Sequence, residues 1–92
     1  MAKFEQGIPV VTAGINADLS DSDFSRFVFG SLRRHLNCDW GVVCVEDKVT
    51  NDKALVEGDR LFSAYEYIDG RKIWVITECD RSVTTILYPS EY

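Results

Sequence analysis

The last third of the chain contains the feature that most limits its fold, an Asp69-Gly70 pair between two runs rich in β-branched and aromatic residues. Asp-Gly is a strong hairpin signal, because glycine readily adopts the positive φ that tight two-residue turns require. The flanking runs, 60–67 and 72–78, are therefore predicted to pair as antiparallel strands. A third run, 83–88, follows a turn at 79–81, so the region is predicted to form a three-stranded meander.

Two helices are predicted ahead of this meander. The run 21–37 has apolar residues at spacings of three and four, and its Ser and Asp residues suit a helix N-terminus. The run 43–57 has acids in its first turn, a glycine stop at Gly58, and an outer face expected to be markedly negative. Its apolar stripe is thinner and consists of Val45, Val49, Leu55 and Val56.

These elements predict an α+β fold in which two helices pack on one face of a three- to four-stranded antiparallel sheet. The fourth strand would be a short edge strand at 8–12, while the segment 13–19 is ambiguous and could form one helical turn. With 92 residues the chain has room for one modest core, so a single domain over 1–92 is expected. Trp40 and Trp74 are predicted to anchor that core.

Charge and composition exclude several classes of protein. Fifteen acidic residues against ten basic ones give a net charge of −5, which argues against binding to a phosphate backbone and fits either a positively charged protein groove or no charged partner at all. No apolar run approaches the ~18 residues that span a bilayer. The three cysteines are odd in number and lack the regular spacing of a disulfide framework, which argues against a secreted disulfide scaffold. A cytoplasmic protein is therefore expected.

His35 is the single histidine, and it falls near the middle of the apolar stripe of the first predicted helix. One interpretation is a core histidine that hydrogen-bonds a carbonyl or carboxylate. The other is a general base or ligand, which needs a cleft that a small core can hardly supply. His35 with Cys38, Cys44 and Cys79 also forms a zinc ligand set on paper, but the spacing is irregular, so neither a metal nor another cofactor is predicted.

The turn at 78–82 combines carboxylates, a guanidinium and hydroxyls. Such a set can bind a phosphate or a peptide, or it can stabilise the hairpin through contacts across the turn. The candidate ligand site comprises His35, Arg60, Tyr65, Thr77, Glu78, Asp80, Arg81 and Thr84. The sequence has no Gly-rich phosphate loop, nucleophile elbow or His-Glu-x-x-His motif, so no catalytic residue is assigned and an enzyme is not the favoured interpretation.

Several runs resemble a family of small bacterial proteins. The most specific are Arg34-His35-Leu36-Asn37-Cys38-Asp39-Trp40-Gly41 and the closing stretch from Ile73-Trp74-Val75-Ile76 to Tyr88-Pro89-Ser90-Glu91-Tyr92. This chain is similar over 34–92 to the "plasmid-related" proteins of unknown function, often labelled restriction–modification accessory proteins and carried on plasmids, integrative elements and prophages. Cys38 departs from the glycine usual there. The resemblance implies a mobile-element context, in which small acidic proteins often act as anti-defence factors, anti-CRISPR proteins among them.

The leading hypothesis is therefore an anti-defence inhibitor that binds a host defence complex, such as a CRISPR effector, without contacting nucleic acid directly. The acids expected to contact the partner are Asp39, Glu46, Asp47, Asp52, Glu57 and Asp59. One alternative is a small enzyme or ligand-binding domain built on the candidate ligand site. A second is a structural or regulatory homodimer that uses the exposed face of the meander.

Overall fold

The computed structural model describes residues 2–92 and confirms the α+β class. Four strands and three α-helices are followed by one short 3₁₀ turn. In chain order they are β1 (Ile8–Val11), α1 (Ala13–Asp18), α2 (Ser22–Leu36), α3 (Val45–Glu57), β2 (Leu61–Glu66), β3 (Lys72–Thr77), β4 (Val83–Leu87) and the 3₁₀ turn (Pro89–Glu91). No helix within this part of the chain is long and apolar enough to cross a membrane.

The sheet has the strand order β1-β4-β3-β2. The antiparallel meander is confirmed, with Val75 at its centre paired to Ser63 on β2 and to Ile86 on β4. The edge strand exists, but its predicted antiparallel direction is wrong, because β1 pairs parallel to β4. Parallel neighbours need a long connection, and here all three helices and two strands lie between β1 and β4.

Helix α2 forms where the sequence predicts it. The Asp21 side chain caps its N-terminus by accepting hydrogen bonds from the backbone N–H groups of Asp23 and Phe24. Helix α1, which the sequence leaves ambiguous, is a third helix and contributes Ile15 to the core. The main core combines side chains from α1, α2 and the meander: Ile15, Phe24, Val28, Tyr65, Ile73, Val75 and Ile86.

The outer edge of β2 is closed by the chain that precedes α3. Ala64 of β2 donates its N–H to the Trp40 carbonyl at 3.2 Å and accepts from the Val42 N–H at 2.8 Å. Gly41 lies between these two residues with φ +75°, and an added Cβ would lie 1.9 Å from the Ala64 carbonyl oxygen. Trp40 is buried, as predicted, whereas Trp74 is only partly buried.

Helix α3 is oriented differently from the expectation. Its buried residues are Asn51 and Ala54. Of the predicted apolar stripe, Leu55 is half-buried against the core, whereas the three valines, Val45, Val49 and Val56, are exposed. The reason is a polar contact, since the Asn51 amide donates to the Phe62 carbonyl and accepts from the Phe62 N–H at 3.0 Å. These two bonds complete the β2 edge and fix which face of α3 turns inward.

Candidate functional site

The outer face of α3 carries an apolar stripe. Val45, Val49 and Val56 expose 74%, 62% and 88% of their surface. At 100° per residue they lie within about 40° of one another, on the side of the helix opposite the buried residues, and they span about 16 Å along its axis. Single exposed apolar residues are ordinary on protein surfaces, but three aligned on one helix face are typical of an interaction surface.

Four of the six predicted partner-contacting acids lie on α3 or just after it. At 100° per residue Glu46 and Glu57 flank the stripe on one side, whereas Asp47 lies on the opposite side of the helix and Asp59 follows its end. Glu46, Asp47, Glu57 and Asp59 are exposed and form no ion pair with any residue of 2–92. We call these four acids, together with Val45, Val49 and Val56, the α3 surface. Because the acids lack intramolecular partners, their charges are available to a basic partner.

The other two acids hold the fold together. The Asp39 carboxylate accepts two hydrogen bonds from the Arg34 guanidinium, at 2.7 and 3.2 Å. These bonds lower the pKa of Asp39, so the carboxyl stays ionised, and the positive charge of Arg34 offsets its negative charge. The Asp52 carboxylate accepts from the indole N–H of Trp40 at 3.1 Å, which ties α3 to the closed edge of the sheet. The structure therefore separates Asp39 and Asp52 from the acids that are free to bind a partner.

His35 lies at the centre of a buried chain of hydrogen bonds. Its Nδ1 is 2.5 Å from the Ser63 hydroxyl, and its Nε2 is 2.9 Å from the Thr77 hydroxyl. Thr77 in turn contacts the hydroxyl of Thr84 at 2.7 Å, and Thr84 donates to the Gln6 carbonyl at 2.7 Å. His35, Ser63, Thr77 and Thr84 are all fully buried. We call these four side chains and the Gln6 carbonyl the His35 chain.

The direction of these hydrogen bonds follows from counting protons. The Gln6 carbonyl can only accept a hydrogen bond, so the Thr84 hydroxyl donates to it. Thr84 must then accept the hydrogen bond that it shares with Thr77. Thr77 has then used its own proton and accepts from the Nε2–H of His35. Neutral His35 therefore carries its proton on Nε2 and accepts from Ser63 through Nδ1.

The surroundings of His35 keep it uncharged. Burial lowers its pKa to about 4, and the positive charge of Arg81 adds to the effect. The rings of Phe4 and Trp40 lie edge-on to the imidazole, with centroids 5.3 and 5.6 Å away. Since both nitrogens already have partners, this arrangement offers no free lone pair to a substrate. His35 is a core histidine, but its partners are hydroxyls and not the expected carbonyl or carboxylate.

Arg81 connects the β3–β4 turn to the end of α3. Its guanidinium donates to the carbonyl oxygens of Asp59 at 2.7 Å, Glu78 at 3.1 Å and Ala54 at 3.3 Å. The Ala54 carbonyl in the last turn of α3 already accepts from the backbone N–H groups of Gly58 and Asp59, at 2.8 and 3.1 Å, so Arg81 is a third donor to it. The guanidinium thus ties the β3–β4 turn to the C-terminal end of α3.

Of the remaining residues of the candidate ligand site, Tyr65 adjoins the His35 chain through Ser63, whereas Arg60, Glu78 and Asp80 lie apart from it. Asp80 accepts from the backbone and hydroxyl of Ser82 within its own turn, and these bonds lower its pKa. Buried Tyr65 donates its hydroxyl to the Asp39 carbonyl at 2.6 Å. Arg60 Nε lies 3.9 Å from a carboxylate oxygen of Glu78, and both side chains are part-exposed. The structure therefore brings together His35, Thr77 and Thr84 but not the full set of eight residues.

One member of the His35 chain was missed from the sequence. Ser63 belongs to the His35 chain, and the alternation of β2 is the signal that could have placed it on the same face as Leu61 and Tyr65. The zinc ligand set is not assembled either, because no group of three or more His, Cys, Asp or Glu side chains among residues 2–92 is placed to hold a metal. Cys44 and Cys79 are exposed free thiols.

Comparisons with protein-family models, with curated proteins and with solved structures found no match for this chain. The resemblance to the plasmid-related proteins therefore stays a prediction from the sequence.

Proposed function

We propose that this protein is a binding module that docks through the α3 surface onto a basic patch of another protein, and that it acts as an anti-defence inhibitor. The observation that supports the proposal is the outward placement of Val45, Val49 and Val56, flanked on one side by Glu46 and Glu57, two acids that have no ion-pair partner among residues 2–92. Acids steer the encounter, while buried apolar contacts supply most of the affinity in such interfaces.

The chemistry of the partner follows from this layout. Its contact patch should have an apolar centre that covers the valines and a rim of Lys and Arg that faces the acids. A net charge of −5 opposes docking on nucleic acid itself. The resemblance described above makes the basic nucleic-acid grooves of host defence complexes, CRISPR effectors among them, the first partners to test.

The test uses a panel of purified CRISPR effectors and restriction enzymes. Binding is measured by interferometry, and inhibition is measured as loss of DNA cleavage by each enzyme. For a partner that binds, affinity should fall as salt rises from about 0.15 to about 0.5 M, because exposed charges are screened. Substantial affinity should remain at high salt, since apolar contacts are not screened.

Two variants separate the contributions of charge and apolar contact. One replaces Val45, Val49 and Val56 with serine, and the other replaces the acids by Glu46→Gln, Asp47→Asn, Glu57→Gln and Asp59→Asn. The valine variant should weaken binding at least tenfold, because burying one Val side chain contributes about 1.5 kcal/mol or more and three are lost. The acid variant should also weaken binding at least tenfold, because it removes four charges complementary to the basic rim. The acid variant should also lose most of the salt dependence.

Matched controls come from exposed residues elsewhere on the surface. Ile68→Ser removes an apolar side chain that is 94% exposed, and the pair Glu5→Gln and Glu66→Gln removes two exposed acids. Both controls should bind like the parent protein. Binding that is unchanged in the valine variant would contradict the apolar centre. A panel with no bound or inhibited member would reject the anti-defence role.

A further inference from the structure

The face of the sheet turned away from α1 and α2 carries a small aromatic groove. Phe62 of β2 and Trp74 and Ile76 of β3 form its floor, and Arg60 and Tyr92 border it. Its volume is about 260 Å³. Drug-sized ligands occupy pockets of ~300–1,000 Å³, so this groove has room for little more than one ring with a short arm.

The rings of the groove are arranged edge to face. The centroids of Phe62 and Trp74 lie 5.1 Å apart with planes at 83°, and those of Trp74 and Tyr92 lie 5.6 Å apart at 69°. Aromatic rings prefer such offset and perpendicular contacts at centroid distances of ~4.5–7 Å. A further ring entering the groove can therefore continue the same pattern of contacts.

Arg60 supplies a positive charge at the border of the groove. Its guanidinium lies 5.3 Å from the centroid of the Tyr92 ring and donates one hydrogen bond, at 2.9 Å, to the Tyr92 hydroxyl. The nearest carboxylate, that of Glu78, is 3.9 Å from Arg60 Nε, beyond hydrogen-bonding distance. A guanidinium has five N–H donors, so most of those on Arg60 have no acceptor within residues 2–92.

We propose that this groove binds a small aryl carboxylate, with its ring against Trp74 and Tyr92 and its carboxylate on Arg60. The N–H donors of Arg60 that have no acceptor favour an anionic ligand. A carboxylate can accept two parallel hydrogen bonds from one guanidinium. The rings beside Arg60 call for an apolar, planar group. A cationic ligand is disfavoured because Arg60 already occupies the Tyr92 face.

Three probes of the same shape and different charge test this site: 3-phenylpropanoate, its amide, and 3-phenylpropan-1-amine. Binding is followed by NMR through the indole N–H signals of the two tryptophans. Trp40 is buried and donates to Asp52, so its signal is the internal reference, and the Trp74 signal reports the groove. We expect the carboxylate to bind at least tenfold tighter than the amide, because a charge-assisted bidentate pair is lost in the amide.

Two variants of exposed residues should change the affinity in opposite directions. Arg60→Met keeps the apolar stem and should weaken binding of the carboxylate at least tenfold. Glu78→Gln removes the competing carboxylate and should strengthen binding by about fivefold at most, the range for an exposed ion pair. Arg26→Met is the matched control, because Arg26 is an exposed arginine on α2, and it should change nothing.

Each other outcome overturns the proposal. Equal binding of the three probes would show an apolar groove without anion recognition, and tighter binding of the amine would show a cation cage. Unchanged affinity in Arg60→Met would place the carboxylate elsewhere. No shift of the Trp74 signal with any probe, in protein shown to be folded by its NMR spectrum, would mean that the groove is not a ligand site.

Discussion

Acid should destabilise this protein through His35 over a defined pH range. The native pKa of His35 is about 4, against an ordinary value of 6.5, because burial penalises the charged imidazole. Between these two values the unfolded chain binds a proton at His35 and the native protein does not. Protons therefore favour unfolding, and the contribution of His35 to stability is complete above pH 6.5 and is lost as the pH falls towards 4.

The size of the effect follows from the difference between the two pKa values. Each pH unit within the window corresponds to about 1.4 kcal/mol, so the free energy of unfolding should fall by about 2 kcal/mol at pH 5 and by about 3 kcal/mol once the window is crossed. His35 is fully buried, so solvent does not screen this effect. A loss of 3 kcal/mol is a large part of the ~5–15 kcal/mol that holds a typical domain together.

The assay is urea unfolding followed by tryptophan fluorescence at several pH values between 4 and 7. Asp and Glu residues also titrate near the acid end, so the control is His35→Gln, which keeps a donor and an acceptor but cannot titrate. The difference between the two proteins isolates His35, the single histidine. Proton NMR of its ring should give a native midpoint near 4. Equal loss of stability in both proteins, or a native midpoint near 6.5, would refute the reasoning.

Three substitutions test the contacts that position α3 and the β2 edge, each by urea unfolding. Arg81→Met removes the donors to the Ala54, Asp59 and Glu78 carbonyls and should cost about 1–2 kcal/mol, while loss of less than a few tenths would contradict its role in tying the β3–β4 turn to α3. Asn51→Leu leaves the Phe62 N–H and carbonyl without partners and should cost at least about 2 kcal/mol, and a neutral result would show that water replaces the amide. Gly41→Ala should cost more than about 2 kcal/mol, because the new Cβ would overlap the Ala64 carbonyl, and unchanged stability would rule out the described pairing.

The meander was predictable because its signals are local. Asp69-Gly70 lies between two β-rich runs, and the hairpin turn forms where the sequence places it, with the Asp69 carboxylate accepting from the Arg71 N–H. Helix α2 was predictable for the same reason, since its cap and its apolar spacing lie within one short run. The parallel direction of β1 was not predictable, because nothing within a run of four residues indicates which distant strand it pairs with.

The position of His35 was predictable, but its partners were not. Its place in the apolar stripe of α2 indicates burial, and the structure confirms it. Ser63, Thr77 and Thr84 come from three different strands, and only the register of the sheet brings their hydroxyls to one place. Spacing along the chain contains no such information, so Arg60, Glu78 and Asp80 were grouped with them although they lie apart.

The orientation of α3 shows why the apolar pattern of a helix can mark a binding surface. A stripe of valines ordinarily faces the core, and burying each one would contribute roughly 1.5–3 kcal/mol. Here Asn51, Ala54 and the hydrogen bonds from Arg81 hold the opposite face inward, so that apolar area stays in solvent. Polar side chains at these three valine positions would leave every contact that positions α3 intact. The contacts that position α3 do not use the valines, and the acids of the α3 surface have no ion-pair partners among residues 2–92, so the partner proposed above would account for both.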